Sequence, residues 1–180
     1  MQKLISQLEK YTPFNEQEER DKNTILNLLK TQPDIFERSN LIAHMTASAW
    51  VVNKDRSKIL LAYHNIYDSW AWLGGHADGE KDLLKVALKE VAEESGVKNI
   101  KPVSEDILSV EILTVDGHEK KGVYVPSHLH LTMSHISLRR TTPSSPTFAW
   151  AKIQMWRGLT KTRLLKCQTK SGSKREYIQS

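Results

Sequence analysis

Residues 74–97 read GGHADGEKDLLKVALKEVAEESGV, and this stretch decides how the rest of the chain is read. A glycine pair opens onto a segment with helical spacing. Leu83, Leu84, Ala87, Leu88 and Val91 form an apolar stripe suited to packing on a sheet. Glu90, Glu93 and Glu94 lie three and four residues apart, so a helix carries all three carboxylates on one face. Three carboxylates so close repel one another, and hard divalent cations such as Mg²⁺ or Mn²⁺ take oxygen ligands. An acidic triplet alone reads equally well as a solvated helix face. What separates the two readings is the fixed pattern around it.

Working outward, strand-like and helix-like segments alternate. Residues 2–11 and 15–31 read as helices, the second stopped by Pro33. Residues 46–52 (TASAWVV) and 58–63 (KILLAY) read as paired strands around a turn at 53–57. Residues 70–73 form a short strand running into Gly74 and Gly75. The loop 76–79 precedes the helix, with Asp82 in its first turn, and Gly96 is a natural helix terminator. Residues 106–115 and 122–131 read as two further strands, and His128 and His130 share a face of the second. Strands on both sides of a packed helix predict an α/β sandwich with a mixed sheet.

With that frame in place, residues 75–97 resemble the Nudix box, G-x5-E-x7-R-E-U-x-E-E-x-G-U, where U is aliphatic. Gly75 opens it, and Lys89-Glu90-Val91-Ala92-Glu93-Glu94-Ser95-Gly96-Val97 closes it. Lys81 stands where the box has its first Glu, and Lys89 where it has Arg. Lys89 keeps the charge but not the planar fork. The resemblance covers roughly residues 40–131. It implies a Nudix-type α/β/α sandwich and hydrolysis of the diphosphate bond in a nucleoside diphosphate linked to another moiety. Glu90, Glu93 and Glu94 would be catalytic and, with Gly75, would hold Mg²⁺ or Mn²⁺. Glu90, or a carboxylate outside the box such as Glu111, would orient or deprotonate the attacking water. His76, Lys81, Lys89, His128 and His130 are the expected substrate contacts. For Lys81 the bland reading is a solvated lysine; for the histidines it is a surface or hydrogen-bonding role. Tyr63, Trp70 and Trp72 could stack on a base or simply fill the core.

Composition bounds the alternatives. The 180-residue length suits one hydrolase core at 40–131, preceded by helices in 1–39. No apolar run approaches a membrane span, the charged N-terminal segment lacks an apolar h-region, and the single Cys167 can form no internal disulfide. A cytoplasmic protein is the expectation. The net charge of +5 divides unevenly. Residues 1–131 hold 16 Lys+Arg and 20 Asp+Glu, a net of −4, and residues 132–180 hold ten and one, a net of +9. The basic segment could suggest nucleic acid as partner. A second reading is an out-of-frame, poorly ordered tail: codons compatible with 132–180, read from the third base, permit a strand, acidic turns and an amphipathic helix. The expected partner is thus a small nucleotide diphosphate, with neither nucleic acid nor membrane, and a homodimer is left open. An isomerase on the same fold would call for an active-site Cys, which residues 1–131 lack. The alternative kept is a catalytically impaired module that binds nucleotides without turnover.

Overall fold

A computed structural model describes residues 1–53, 55–64, 69–97, 100–138 and 148–152. Two helices lead, α1 (Gln2–Lys10) and α2 (Glu16–Thr31). Strands β1 (Ala43–Val52), β2 (Lys58–His64), β3 (Ser69–Ala71) and β4 (Leu73–His76) follow. Next come helix α3 (Leu83–Ser95) and strands β5 (Lys101–Pro102), β6 (Ser109–Val115), β7 (His118–Lys120), β8 (Val123–Val125), β9 (His128–Leu138) and β10 (Phe148–Lys152).

The sequence of β1 explains its central place. Met45, Ala47, Ala49 and Val51 alternate with His44, Thr46 and Ser48, so one face is apolar and the other polar. Both faces are buried. On one side β1 pairs β9 in parallel along its whole length, from Ala43↔Leu129 to Val52↔Leu138. Parallel neighbours need a long crossover, and this one contains α3. On the other side β1 pairs β4 and β2, both antiparallel. The mixed sheet runs β10-β2-β1-β9-β5, with β3 on β2, β4 on β1 and β6 on β9. The α/β class with a mixed sheet, expected from strands flanking a packed helix, is the class observed.

Helix α3 is capped at both ends. The Asp82 side chain accepts from the Lys85 amide at 3.2 Å, so Asp82 is the N-cap rather than a first-turn residue. Gly96 closes the helix at φ 66°, a left-handed conformation that glycine adopts without strain. Leu83, Val86, Ala87 and Val91 bury into the same apolar cluster as Leu4, Leu8, Ile25 and Leu29 of the leading helices and Met45, Leu131 and Met133 of the sheet. Helix α2 starts at Asn15, whose side chain accepts from the Glu18 amide. Its acids also cover a sheet edge. Glu18 accepts from the Val110 amide at 3.0 Å and Asp21 from the Ile112 amide at 3.1 Å, so these two amides of β6 are capped by side chains instead of another strand.

Two boundaries differ from the sequence reading. The single strand expected over 122–131 is divided at Pro126, which has no amide to donate, into β8 and β9; β8 pairs β7 in a separate hairpin. The boundary at 131 falls inside β9, which continues to Leu138. Residues 132–135 alternate as a strand should and are buried. Thr132 meets Thr46 through their hydroxyls at 2.8 Å, and Ser134 meets Ser48 at 2.6 Å. Strand β10, within the basic segment, pairs β2 from Phe148↔Ala62 to Lys152↔Lys58. Cys167 and the terminal helix of the out-of-frame reading lie outside the described residues.

Candidate functional site

The acidic face of α3 lies against the glycine pair of β4. The Gly74 amide donates to Glu94 Oε2 at 3.3 Å. The Glu90 carboxylate sits directly over Gly75, where a Cβ would fall 2.5 Å from Glu90 Oε2. At Gly74 a Cβ would meet backbone instead, 2.5 Å from the Ala47 carbonyl oxygen and 2.8 Å from Ser48 Cα. The two glycines therefore do different things. Gly74 lets β4 lie close on β1, and Gly75 makes room for a carboxylate. Glu93 is the outer member of the triplet, its side chain 59% exposed against 18% for Glu90.

Lys89, the box departure, lies between two of these acids, 3.9 Å from Glu90 Oε1 and 3.6 Å from Glu93 Oε2. Glu90 holds its proton more tightly than a free glutamate, chiefly through desolvation, with Glu93 and Asp78 adding to the rise and Lys89 and Arg38 opposing it. Glu94 is raised as well, by desolvation of its carboxyl and by the charge of Glu90, against the Gly74 hydrogen bond. Carboxylates held together against their own preference form an all-oxygen donor set, which fits Mg²⁺ or Mn²⁺. Glu111 stands apart on β6, where desolvation and then Glu18 and Asp21 of α2 raise it.

Arg38 and Asp78 form a forked ion pair beside this face. The pair lowers the Asp78 pKa and raises that of Arg38. Asp78 takes a positive φ of 47° in the loop between β4 and α3, a conformation that aspartate tolerates better than most residues. The Gly79 amide ties that loop to the Phe36 carbonyl at 3.0 Å. Neither Arg38 nor Asp78 was singled out in the sequence. Forty residues separate them, and no local pattern links the two.

The expected histidines do converge, though on a different face. His76 is the last residue of β4 rather than part of the loop. Its ring lies 5.1 Å from that of His44 and 4.9 Å from that of His130. Burial dominates their titration, with neighbouring positive charge adding to it, and lowers His76 to about 4 and His130 to about 3. His128 is buried next to them. Its Nδ1 is 2.8 Å from the Pro126 carbonyl, and its Nε2 is 3.2 Å from Nε2 of His130. His44 was missed in the sequence, where a lone histidine in an apolar strand carries no signal. Lys81 is exposed in the loop before α3, and its amide donates to Glu80 at 2.9 Å. Among the aromatics, Tyr63 packs edge-on to Trp70 at 5.4 Å and Trp72 stacks on Trp50 at 6.0 Å.

No family model and no curated protein matches the chain. Solved structures similar to it include a NUDIX-family hydrolase from Clostridium perfringens, 22% identical over 61% of this chain and 81% of that one, TM-score 0.40. The C. elegans Ap4A hydrolase is 20% identical over 60% and 79%, TM-score 0.38. The NUDIX domain of Shewanella oneidensis NrtR, solved with ADP ribose, is 17% identical over 70% and 81%, TM-score 0.38. At TM-scores of this size the likeness assigns no function to this chain; its own residues must carry the assignment.

Proposed function

We propose that the chain is a Nudix-type, metal-dependent hydrolase of the diphosphate bond in a nucleoside diphosphate linked to another moiety. The observation that carries this reading is the seating of Glu90 and Glu94 on the Gly74–Gly75 backbone, with Glu93 one turn from Glu90 and all three within a Nudix-like box. A diphosphate is a poor electrophile because its oxygens are charged. Mg²⁺ or Mn²⁺ bound by these glutamates, with a Gly75 backbone ligand, would neutralise that charge and lower the pKa of a bound water.

The remaining roles belong to the chain. Glu90, the more buried acid with a raised pKa, is suited to accept a proton from the attacking water. Glu111 is set apart by its acidic neighbours on α2. Arg38, held by Asp78, offers a cation for a substrate phosphate. Lys89 positions Glu90 and Glu93, and Lys81 is free to meet phosphate from the loop. His76, His128 and His130, on the other face from these glutamates, stay as candidate contacts for the part of the substrate away from the diphosphate. A cytoplasmic setting fits the single Cys167, which can form no internal disulfide.

One observation favours a second reading. Lys89 occupies the space between two of the acids, where a cation would compete with it, and Lys81 removes the first box carboxylate. A module that binds nucleotides without turning them over would look like this. Turnover of a panel of nucleoside diphosphate derivatives with and without Mg²⁺ separates the two. Phosphate-ester products that appear only with metal support the hydrolase, and nucleotide binding with no product on any member supports the silent module.

A further inference from the structure

We infer that His44, His76 and His130 form a binding site for one transition-metal ion of the class that includes Zn²⁺ and Co²⁺, distinct from the carboxylate site on α3. Three adjacent strands supply one imidazole each. His44 and His130 are direct partners in the β1–β9 register, and His76 pairs with Thr46 across β1–β4. One nitrogen from each ring can be chosen so that all three lie within 4.8 Å of one another. Nitrogens on one tetrahedral ion stand about 3.3 Å apart for metal–nitrogen bonds of about 2.0–2.1 Å. Small side-chain rotations close that gap.

An independent observation points the same way. Nδ1 of His44 lies 3.0 Å from the Asn40 carbonyl, which can only accept, so Nδ1 carries the proton and Nε2 carries the lone pair. That Nε2 is fully buried and has no hydrogen-bond partner among the described residues. A buried acceptor left unmatched is costly, and a metal ion is the partner that a lone pair among imidazoles lacks. A backbone carbonyl fixing the other ring nitrogen is also how ligating histidines are commonly oriented. His128 plays a similar part toward His130 through their 3.2 Å contact. His135 Nδ1 is likewise buried without a partner among the described residues, but it belongs to no such cluster there. The donor set contains no carboxylate, so it favours nitrogen-loving ions over Mg²⁺, which needs oxygen. The two sites therefore select different metals.

Cobalt titration of the full-length, untagged, chelator-treated chain tests this, read by visible absorption. The expected result is one Co²⁺ per chain with the intense bands of a tetrahedral site, displaced by Zn²⁺ and retained in Glu94→Gln. His76→Gln and His130→Asn, at half-buried rings, should each weaken binding at least tenfold with unchanged circular dichroism. Absence of Co²⁺ binding, binding indifferent to both substitutions, or binding lost in Glu94→Gln alone would each overturn the site. If either variant misfolds, X-ray absorption of the Zn²⁺-loaded wild-type chain decides. An imidazole shell supports the site, and an oxygen-only shell overturns it. Loss of Mg²⁺-dependent turnover with Co²⁺ binding intact would count against the hydrolase alone.

Discussion

The two glycines before α3 make opposite demands on a methyl group, and that difference is testable. At Gly74 a Cβ collides with the backbone of Ala47 and Ser48, which cannot retreat without parting β4 from β1. Gly74→Ala should therefore lower the melting temperature and the yield of folded protein. At Gly75 the obstacle is the end of the Glu90 side chain, which can swing away. Gly75→Ala should keep the melting temperature close to wild type and lower kcat by tenfold or more, because Glu90 is displaced. Equal stability losses in both variants would mean that the carboxylate is not what Gly75 accommodates. The sequence made much of this legible. Helical spacing placed Glu90, Glu93 and Glu94 on one face, while what the glycine pair before them accommodates came from the structure. It could not reveal Arg38, Asp78 or His44, whose roles arise only when segments distant in sequence become neighbours. Period-two alternation puts His128 and His130 on one face, but nothing local says which strands will flank them.

Among the elements, the α2–β6 edge is where charge and structure are most at odds. Glu18 and Asp21 cap two amides of β6, yet they also face Glu111, whose pKa they help to raise. A carboxyl with a raised folded-state pKa binds its proton more tightly folded than unfolded. Its contribution to stability is therefore greatest at low pH and declines as pH rises through the carboxylate range. Glu111→Gln removes the charge, so the variant should melt higher than wild type at pH 7. The difference should vanish as pH falls through the carboxylate range, where Glu111 itself takes up a proton. A thermal melt series across that range checks it, and a variant that melts lower at pH 7 contradicts the account. The same series, followed by a turnover assay, should find hydrolysis within a few-fold of wild type, since Glu111 lies apart from the α3 glutamates. At this scale the sequence anticipated α1, α2 and α3 closely, because helical spacing, Pro33 and Gly96 are local signals. It misplaced the β8–β9 division, where Pro126 interrupts a run of strand-forming residues.

Across the whole molecule, the acidic 1–131 and the basic 132–180 remain two different kinds of sequence. The buried alternation of Thr132, Met133, Ser134 and His135 completes β9. A strand asks only for such alternation, so either reading frame can satisfy it. We therefore keep the out-of-frame origin of the basic segment as a proposal. Sequencing of the source gene should find an inserted or missing base near the codons for Leu131 and Thr132, and a frame-restored chain should melt higher than the present one. An uninterrupted gene, or no gain in stability, would make the basic segment a native part of the fold. The central claim is that the α3 carboxylates bind a divalent ion and drive diphosphate hydrolysis. The most direct measurement is kcat for Glu93→Gln and Glu94→Gln, with Mg²⁺, on whichever diphosphate the wild-type chain turns over. Each substitution keeps the side-chain shape and removes one charged oxygen donor. Losses of several orders of magnitude with an unchanged melting profile are predicted, and near-normal kcat in both variants would reduce the acidic face of α3 to solvated surface.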